Sequence, residues 1–310
     1  MSDIVLKSTL TPSSQNPQGT ASQVRLFKIT DIPAAMDKMG WQVSAKLMRH
    51  WFQGNPWGTP SGGMAELVKS HKQMPPAQYM EETIVTYQWL MAFPRVVRVR
   101  NELRAAWNNA KATELIRRNI LREFGQHSGG CFPLSFNGQG SKAEAFGYAN
   151  SRAVTFDTLG DELNDLRGAL ANFNLRVTVE GTVNAFPDKV TFIADRIGFY
   201  VEDAYDFNDE SLLSQPLGYW NFDGIADGLT DSLSNNANID YEKAKVVATA
   251  PFTGDDVEQR FKDLESKRYF LISNSHFVKY RSMHKKGGDF VVYSDIGYET
   301  ITPVTFEFKK

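Results

Sequence analysis

The sequence predicts an α+β protein: a helical N-terminal region followed by an antiparallel, partly closed, half-barrel-like sheet. Three observations carry this expectation. Apolar residues recur at spacings of three and four up to about residue 125, turn residues crowd positions 126–150, and from Leu175 onward strands dominate.

Residues 1–24 contain Pro12-Ser-Ser-Gln-Asn-Pro17-Gln-Gly-Thr20, lack apolar periodicity and are expected to form a flexible leader. A helical domain is expected over residues 25–125. Thr30 or Asp31 can cap its first helix, Pro33 suits the first turn, and Met36, Met39, Val43, Leu47 and Trp51 make one apolar stripe. Residues 54–63, rich in Gly and Pro, stop that helix. A second helical stretch, Pro75-Pro76 and a helix over residues 79–92 should follow, broken or kinked at Pro94. Residues 95–123 again read as helical, with Leu103, Trp107, Leu115 and Ile116 apolar.

Residues 126–150 hold Gly129-Gly130-Cys131-Phe132-Pro133 and Asn137-Gly138-Gln139-Gly140-Ser141, and are expected to be a loop-rich hinge or linker. A β-rich domain should occupy residues 151–310, after one more helix at 161–172. Residues 175–180 alternate apolar and polar with period two, and residues 190–201 are β-branched and aromatic. Residues 217–222, 269–272, 289–293 and 301–308 complete the strands, with a helix near 255–267 between them.

Composition excludes several classes. A chain of 310 residues with 42% hydrophobic and 23% charged residues can bury a substantial core. A net charge of -2 gives no general attraction to nucleic acid or anionic lipid. No apolar run approaches the roughly 20 residues of a membrane span. One cysteine, Cys131, rules out an intramolecular disulfide and a Cys-based zinc cluster. The N-terminus lacks the apolar core of a Sec-type signal. The chain is therefore expected to be made in the cytoplasm, with any export left to other machinery.

The strongest chemical signal is Asp203-Ala-Tyr205-Asp206-Phe207-Asn208 at the end of a strand. In a strand Asp203 and Tyr205 share a face and Asp206 points away, unless the chain turns there, which Asn208, Asp209 and Ser211 favour. Two close carboxylates suit Mg²⁺, or one can serve as general base, and a phenol can donate to a phosphate oxygen. On composition alone such a strand end is more often a solvated turn with packed aromatics.

The stretch from Leu175 to Asn208, with Val179-Glu-Gly-Thr and Asp203-x-Tyr205-Asp206-Phe207-Asn208, resembles the catalytic region of colicin M-type bacteriocins. That resemblance implies a Mg²⁺-dependent hydrolase that cleaves lipid II, the lipid-linked peptidoglycan precursor, at its undecaprenyl-pyrophosphate linkage. The whole chain, including Gly40-Trp41-Gln-Val-Ser-Ala-Lys-Leu-Met48 and Lys286-Gly-Gly-Asp-Phe290, is in turn similar to a family found near type VI secretion genes, which implies an antibacterial effector. On this reading Asp203 and Asp206 bind Mg²⁺ or activate water, Tyr205 orients the phosphate, and Phe207 and Asn208 contact substrate.

No His, Arg or Lys lies between Phe207 and Trp220, so the cations that a pyrophosphate needs are sought elsewhere. The segment from His276 to Phe290, with Lys279, Arg281, His284 and Gly287-Gly288, supplies them: Arg281 as charge neutraliser, His276 as proton shuttle, Lys279 as a substrate contact. Its competing reading is a basic hairpin whose charges are simply solvated. His50 and His71 lack a second ligand at metal spacing, and Gly138-x-Gly140 is too short for a nucleotide loop.

The expected protein is thus a type VI-secreted toxin acting in the periplasm of a target cell. Its expected partners are the lipid-linked precursor, a cognate immunity protein and a secretion spike or adaptor, with peripheral membrane contact only. The alternative is a non-enzymatic secretion adaptor or structural partner, with the Trp- and Met-rich helical half as its binding surface.

Overall fold

The computed structural model describes residues 25–157, 161–208, 216–226, 229–249 and 255–310. The expected leader, and Asp209 and Ser211 of the expected turn, lie outside the described residues. The chain is α+β, with helices leading into a half-barrel of mixed sheet.

Helix α1 (Ile32–Lys38) carries Pro33 in its first turn, where a missing N–H costs nothing. Gly40, at φ +78°, then turns the chain into α2 (Gln42–Gln53). The expected single stripe is therefore divided between two helices, although Met36, Val43, Leu47 and Trp51 are all buried as the spacing required. The first residues of α2 are capped from far along the chain. Asp165 accepts the Val43 and Ser44 backbone N–H groups at 3.1 and 2.9 Å and the Ser44 hydroxyl at 2.7 Å.

After α3 (Glu66–Lys69), residues 79–92 depart from the expected helix. They form β1 (Met80–Glu81) and the short α4 (Tyr87–Leu90). The Glu81 carboxylate accepts the Thr83 and Ile84 N–H groups at 2.6 and 2.8 Å, a local turn that competes with helix. Pro94 opens α5 (Pro94–Ala106) rather than breaking a helix, and α6 (Ala110–Phe124) follows behind an Asn109 cap.

Residues 126–150, expected as linker, contribute β2 (Gly130–Leu134) and α7 (Gly140–Phe146). Then come β3 (Asn150–Val154) and α8 (Asp165–Leu170). The frame is one long hairpin of β4 (Phe173–Ala185) and β5 (Lys189–Tyr205), turned at Pro187-Asp188. Strands β6 (Pro216–Asn221) and β7 (Gly224–Ile225) precede helices α9 (Leu229–Thr249) and α10 (Asp255–Ser266). Strand β8 (Phe270–Ser273), helix α11 (Asn274–His284), β9 (Phe290–Tyr293) and β10 (Gly297–Lys309) complete the chain.

Each long strand changes neighbour along its length. The first part of β5 pairs with β10 and its last residues pair with β9, while β4 takes β3 at one end and β2 at the other. Register shifts at Glu180/Gly181 and Thr300/Val304 bend the sheet, as bulges do. All these pairings are antiparallel except β1 with β9. A small sheet, β7-β6-β8, stands apart.

One apolar cluster runs from Phe27 to Phe308 and takes in both halves of the chain. Trp41, Trp51, Trp57, Trp107 and Trp220 are buried in the cores, and Trp89 is partly buried against the larger one. Among the described residues no helix is long and apolar enough to cross a membrane.

Candidate functional site

The acidic motif sits where β5 leaves the sheet. Pairing of Asp203 with Val292 and Tyr205 with Phe290 fixes its first residues, and Asn174 opposite Glu202 brings the segment after α8 alongside it. On one side of the motif lies a cavity of about 690 Å³, walled by α1, α2, α8, α11 and the small sheet. Met36, Trp41, Met48, Phe156 and Trp220 give it an apolar, aromatic lining. A volume within about 300–1,000 Å³ is that of a small-molecule site. A second hollow, on the surface of α5 beside Met91, Pro94 and Val97, contains no residue of the motif.

Asp203 and Asp206 both line the cavity, because the strand ends at Tyr205 and Asp206 escapes strict alternation. Their surroundings differ. Burial pushes the Asp203 carboxyl well above the usual range, and the charges of Glu202 and Asp206 push it the same way. Asp206 is ion-paired with Lys69 at 3.2 Å and accepts the Asn208 side-chain amide at 2.8 Å. One carboxyl is thus held toward its acid form, and the other is already matched by an ammonium.

Glu202, one residue before Asp203, faces away from the cavity. Its carboxylate is held by Arg176, which also pairs with Glu144, and lies 3.3 Å from His71 Nδ1. The His71 imidazole is raised from its ordinary value, first by the hydrogen bond to Glu202.

The aromatic residues of the motif form core. Tyr205 stacks on Phe290 at 5.0 Å between ring centres, and its hydroxyl donates to Met48 Sδ at 3.8 Å. Burial raises the phenol above its ordinary value, so it keeps its proton. Phe207 stacks on Phe277 at 4.0 Å and meets Trp51 edge-on. Both Tyr205 and Phe207 border the cavity, as wall rather than as free ligand-binding groups.

Arg281 reaches the motif but is committed elsewhere. Its guanidinium pairs with the fully buried Asp289, donates to the Gly287 carbonyl at 2.9 Å and to Asn208 Oδ1 at 3.2 Å. Asp289 also accepts the Trp51 indole at 2.9 Å, the Met64 N–H at 2.9 Å and the Asn208 amide at 3.2 Å. Burial pulls both partners toward their neutral forms, while their mutual charge opposes it. This is a structural knot. It ties the strand end to α2, the 54–64 loop and α11.

The basic segment corrects the expected cationic site. It is a helix, not a hairpin, and Asn274, Phe277 and Arg281 are its buried positions. His276 is exposed, and its Nδ1 accepts the Ser273 N–H at 3.1 Å as a helix cap. Lys279 is exposed as well. Neither lines the Asp203 cavity.

The magnesium expectation meets the same geometry. Asp203 is held toward its neutral form, and Asp206 already has an ammonium beside it. Among the described residues no group of three or more His, Cys, Asp or Glu side chains is placed to hold a metal ion. The described residues that would hold a magnesium ion are Asp203 and Asp206, the two carboxyls of the cavity wall, with Lys69 as a competing cation at Asp206.

Arg167, on α8, was not singled out by the sequence. It is the one arginine or lysine among the described residues that line the cavity. Asn172 and Asn274 are further polar lining groups. Arg167 stands 36 residues before Asp203 on a six-residue helix, and no local spacing announces the pair.

An α+β half-barrel with a walled cavity at a strand end defines the class of the protein. Residues 27–308 match a family described as a family of unknown function (DUF6402), and the chain belongs to it. No curated protein and no solved structure matches the chain.

Proposed function

We propose that this chain is an antibacterial toxin that hydrolyses a lipid-linked phosphate of the cell-wall precursor, with Asp203 as its general acid. The observation that carries the reading is the place of Asp203: a carboxyl in the wall of an apolar, aromatic cavity, pushed well above the usual carboxylate range by burial. Such a group can give a proton near neutral pH to an oxygen that an ordinary carboxylate cannot serve. The apolar lining suits the lipid end of the substrate.

In the proposed step water attacks phosphorus and the bond to the bridging oxygen on the lipid side breaks. Asp203 delivers its proton to that leaving oxygen. Asp206, on the same wall and positioned by Lys69 and Asn208, takes the proton of the attacking water. Two carboxyls in different surroundings divide the acid and base roles. No step runs through a metal.

The test is incubation of the purified protein with lipid II, with Mg²⁺ and separately with a chelator, products being read by mass. Release of the lipid by wild type in both conditions, and not by Asp203→Asn, supports the reading. Intact lipid II in every tube with folded protein overturns it. Release only with Mg²⁺ overturns the metal-free step and returns Asp203 to metal binding.

A second reading, a non-enzymatic secretion adaptor, is favoured by α9, where Leu229, Leu233 and Tyr241 are exposed. It predicts that Asp203→Asn leaves the phenotype of the secreted protein unchanged, whereas Leu233→Lys abolishes it.

A further inference from the structure

Among the described residues the cavity wall carries two carboxyls and one guanidinium, those of Asp203, Asp206 and Arg167. Asp206 is paired with Lys69. Among the described residues Arg167 makes no ion pair within contact distance, although its charge helps to lower the Asp161 carboxyl. Its Nη1 donates to the Asp161 carbonyl oxygen at 2.6 Å, and the Asp161 carboxylate is taken by Arg95. Its Nε and Nη2 carry no hydrogen bond among the described residues, and its guanidinium lies 6.0 Å from the Phe156 ring centre. Half-buried, it stands between the apolar interior and solvent.

The backbone beside it is held in an unusual shape. Ala171 sits at φ +47° and ψ -125°, a conformation that glycine adopts far more readily, and its N–H donates to the Arg167 carbonyl at 3.0 Å. Gly168 lets Trp41 and Ser44 close on α8, since a Cβ there would lie 2.8 Å from the Trp41 ring. Asp165 pins the same helix to α2. Arg167 therefore projects from a helix clamped against the cavity wall, with Trp41 and Trp220 meeting edge-to-face at 6.4 Å nearby.

We infer that the cavity binds an anionic amphiphile, its charged head on Arg167 and its chain along Met36, Trp41, Met48 and Trp220. The inference rests on the proposed function for its choice of site, and it adds the residue that selects the ligand. An anion brought to Arg167 gains a charge-assisted, forked contact that no other described lining residue supplies. A neutral amphiphile gains only the apolar wall. A cationic one meets repulsion at the guanidinium.

The experiment is calorimetric titration of the full chain with dodecyl phosphate, dodecyl maltoside and inorganic phosphate, each below any micelle concentration. It is run on wild type, Arg167→Gln, Arg167→Lys and Asp203→Asn. The expected result is saturable binding of dodecyl phosphate, weakened about tenfold or more by Arg167→Gln and partly recovered by Arg167→Lys. Dodecyl maltoside should bind wild type and Arg167→Gln alike, and inorganic phosphate should bind far more weakly than its dodecyl ester. Equal binding of dodecyl phosphate to wild type and Arg167→Gln, with both folded, overturns the inference, as does no binding to wild type. Asp203→Asn separates the two proposals. Arg167-dependent binding with intact lipid II removes the hydrolase reading alone, and hydrolysis without Arg167 dependence removes this inference alone.

Discussion

Trp51 donates its indole N–H to Asp289 Oδ1 at 2.9 Å, joining α2 to the start of β9 across 238 positions of sequence. Asp289 is also the anion for Arg281, and both side chains are withdrawn from solvent. This contact adds to the β5–β9 pairing that presents Asp203.

Removing one partner of a buried ion pair leaves the other charged and unmatched, at a cost of about 3–5 kcal/mol. Asp289→Ala should therefore lower the unfolding free energy by about that amount in chemical denaturation. Arg281→Met combined with Asp289→Leu should lose less than the two single losses added together, since neither charge is then stranded. Additive losses in the double variant would show that the pair is not coupled.

The opposite behaviour is expected at Asp203. Its folded value is raised, so the folded state binds the proton more tightly than the unfolded chain, and stability falls as pH rises from the ordinary carboxyl range toward that value. Asn has no such penalty. Asp203→Asn should unfold at the same temperature as wild type or higher, by up to about 1 kcal/mol near neutral pH, while losing turnover. A marked loss of stability in thermal unfolding would make Asp203 a structural residue and remove the acid from the mechanism.

Much of the frame was legible in the sequence. Period-two alternation over residues 175–180 and the β-branched run at 190–201 marked the long hairpin, and Pro33 marked a helix start. Helix α11 was missed because its buried positions are Asn274, Phe277 and Arg281. Two of those three are polar, so the helical spacing was present but hydropathy hid it. The site was legible in part for a related reason. Asp203 to Asn208 is a contiguous motif, whereas the groups that hold it, Trp51, Lys69 and Asp289, are scattered over the chain. Their roles follow from long-range side-chain contacts, which local patterns do not encode.

His71 gives a pH test on the far side of the same strand. Its folded value is raised by Glu202, with Arg176 opposing and Glu144 assisting. The stabilisation is therefore full below its ordinary value of about 6.5 and is lost as pH rises through the folded value. His71 adopts φ +55°, a region that Asn tolerates, so His71→Asn removes the imidazole with little backbone penalty. Between about pH 6 and pH 8 the thermal midpoint of wild type should fall more steeply than that of His71→Asn. Parallel pH profiles would mean that the Glu202 contact does not persist in solution.

Gly63 tests how closely the 54–64 loop must approach the motif. A Cβ placed there would lie 2.1 Å from Asn208 Oδ1 and 3.1 Å from Arg281 Nη1. Neither neighbour can retreat cheaply, because Asn208 bridges Asp206 to Asp289 and Arg281 is fixed by Asp289 and the Gly287 carbonyl. Gly63→Ala should thus cost about 1–3 kcal/mol, as overpacking of a filled core does. It should also release Asp206 from the Asn208 amide, so any hydrolysis of lipid II should fall further than the stability loss alone explains. Adding Asn208→Ala opens the space that the new methyl needs. The Gly63→Ala, Asn208→Ala double variant should then be more stable than the sum of the two single losses predicts, measured by denaturant unfolding. A strictly additive double variant would place the strain of Gly63→Ala in the loop itself, and Asn208 would cease to be the contact that seats the loop on the strand end.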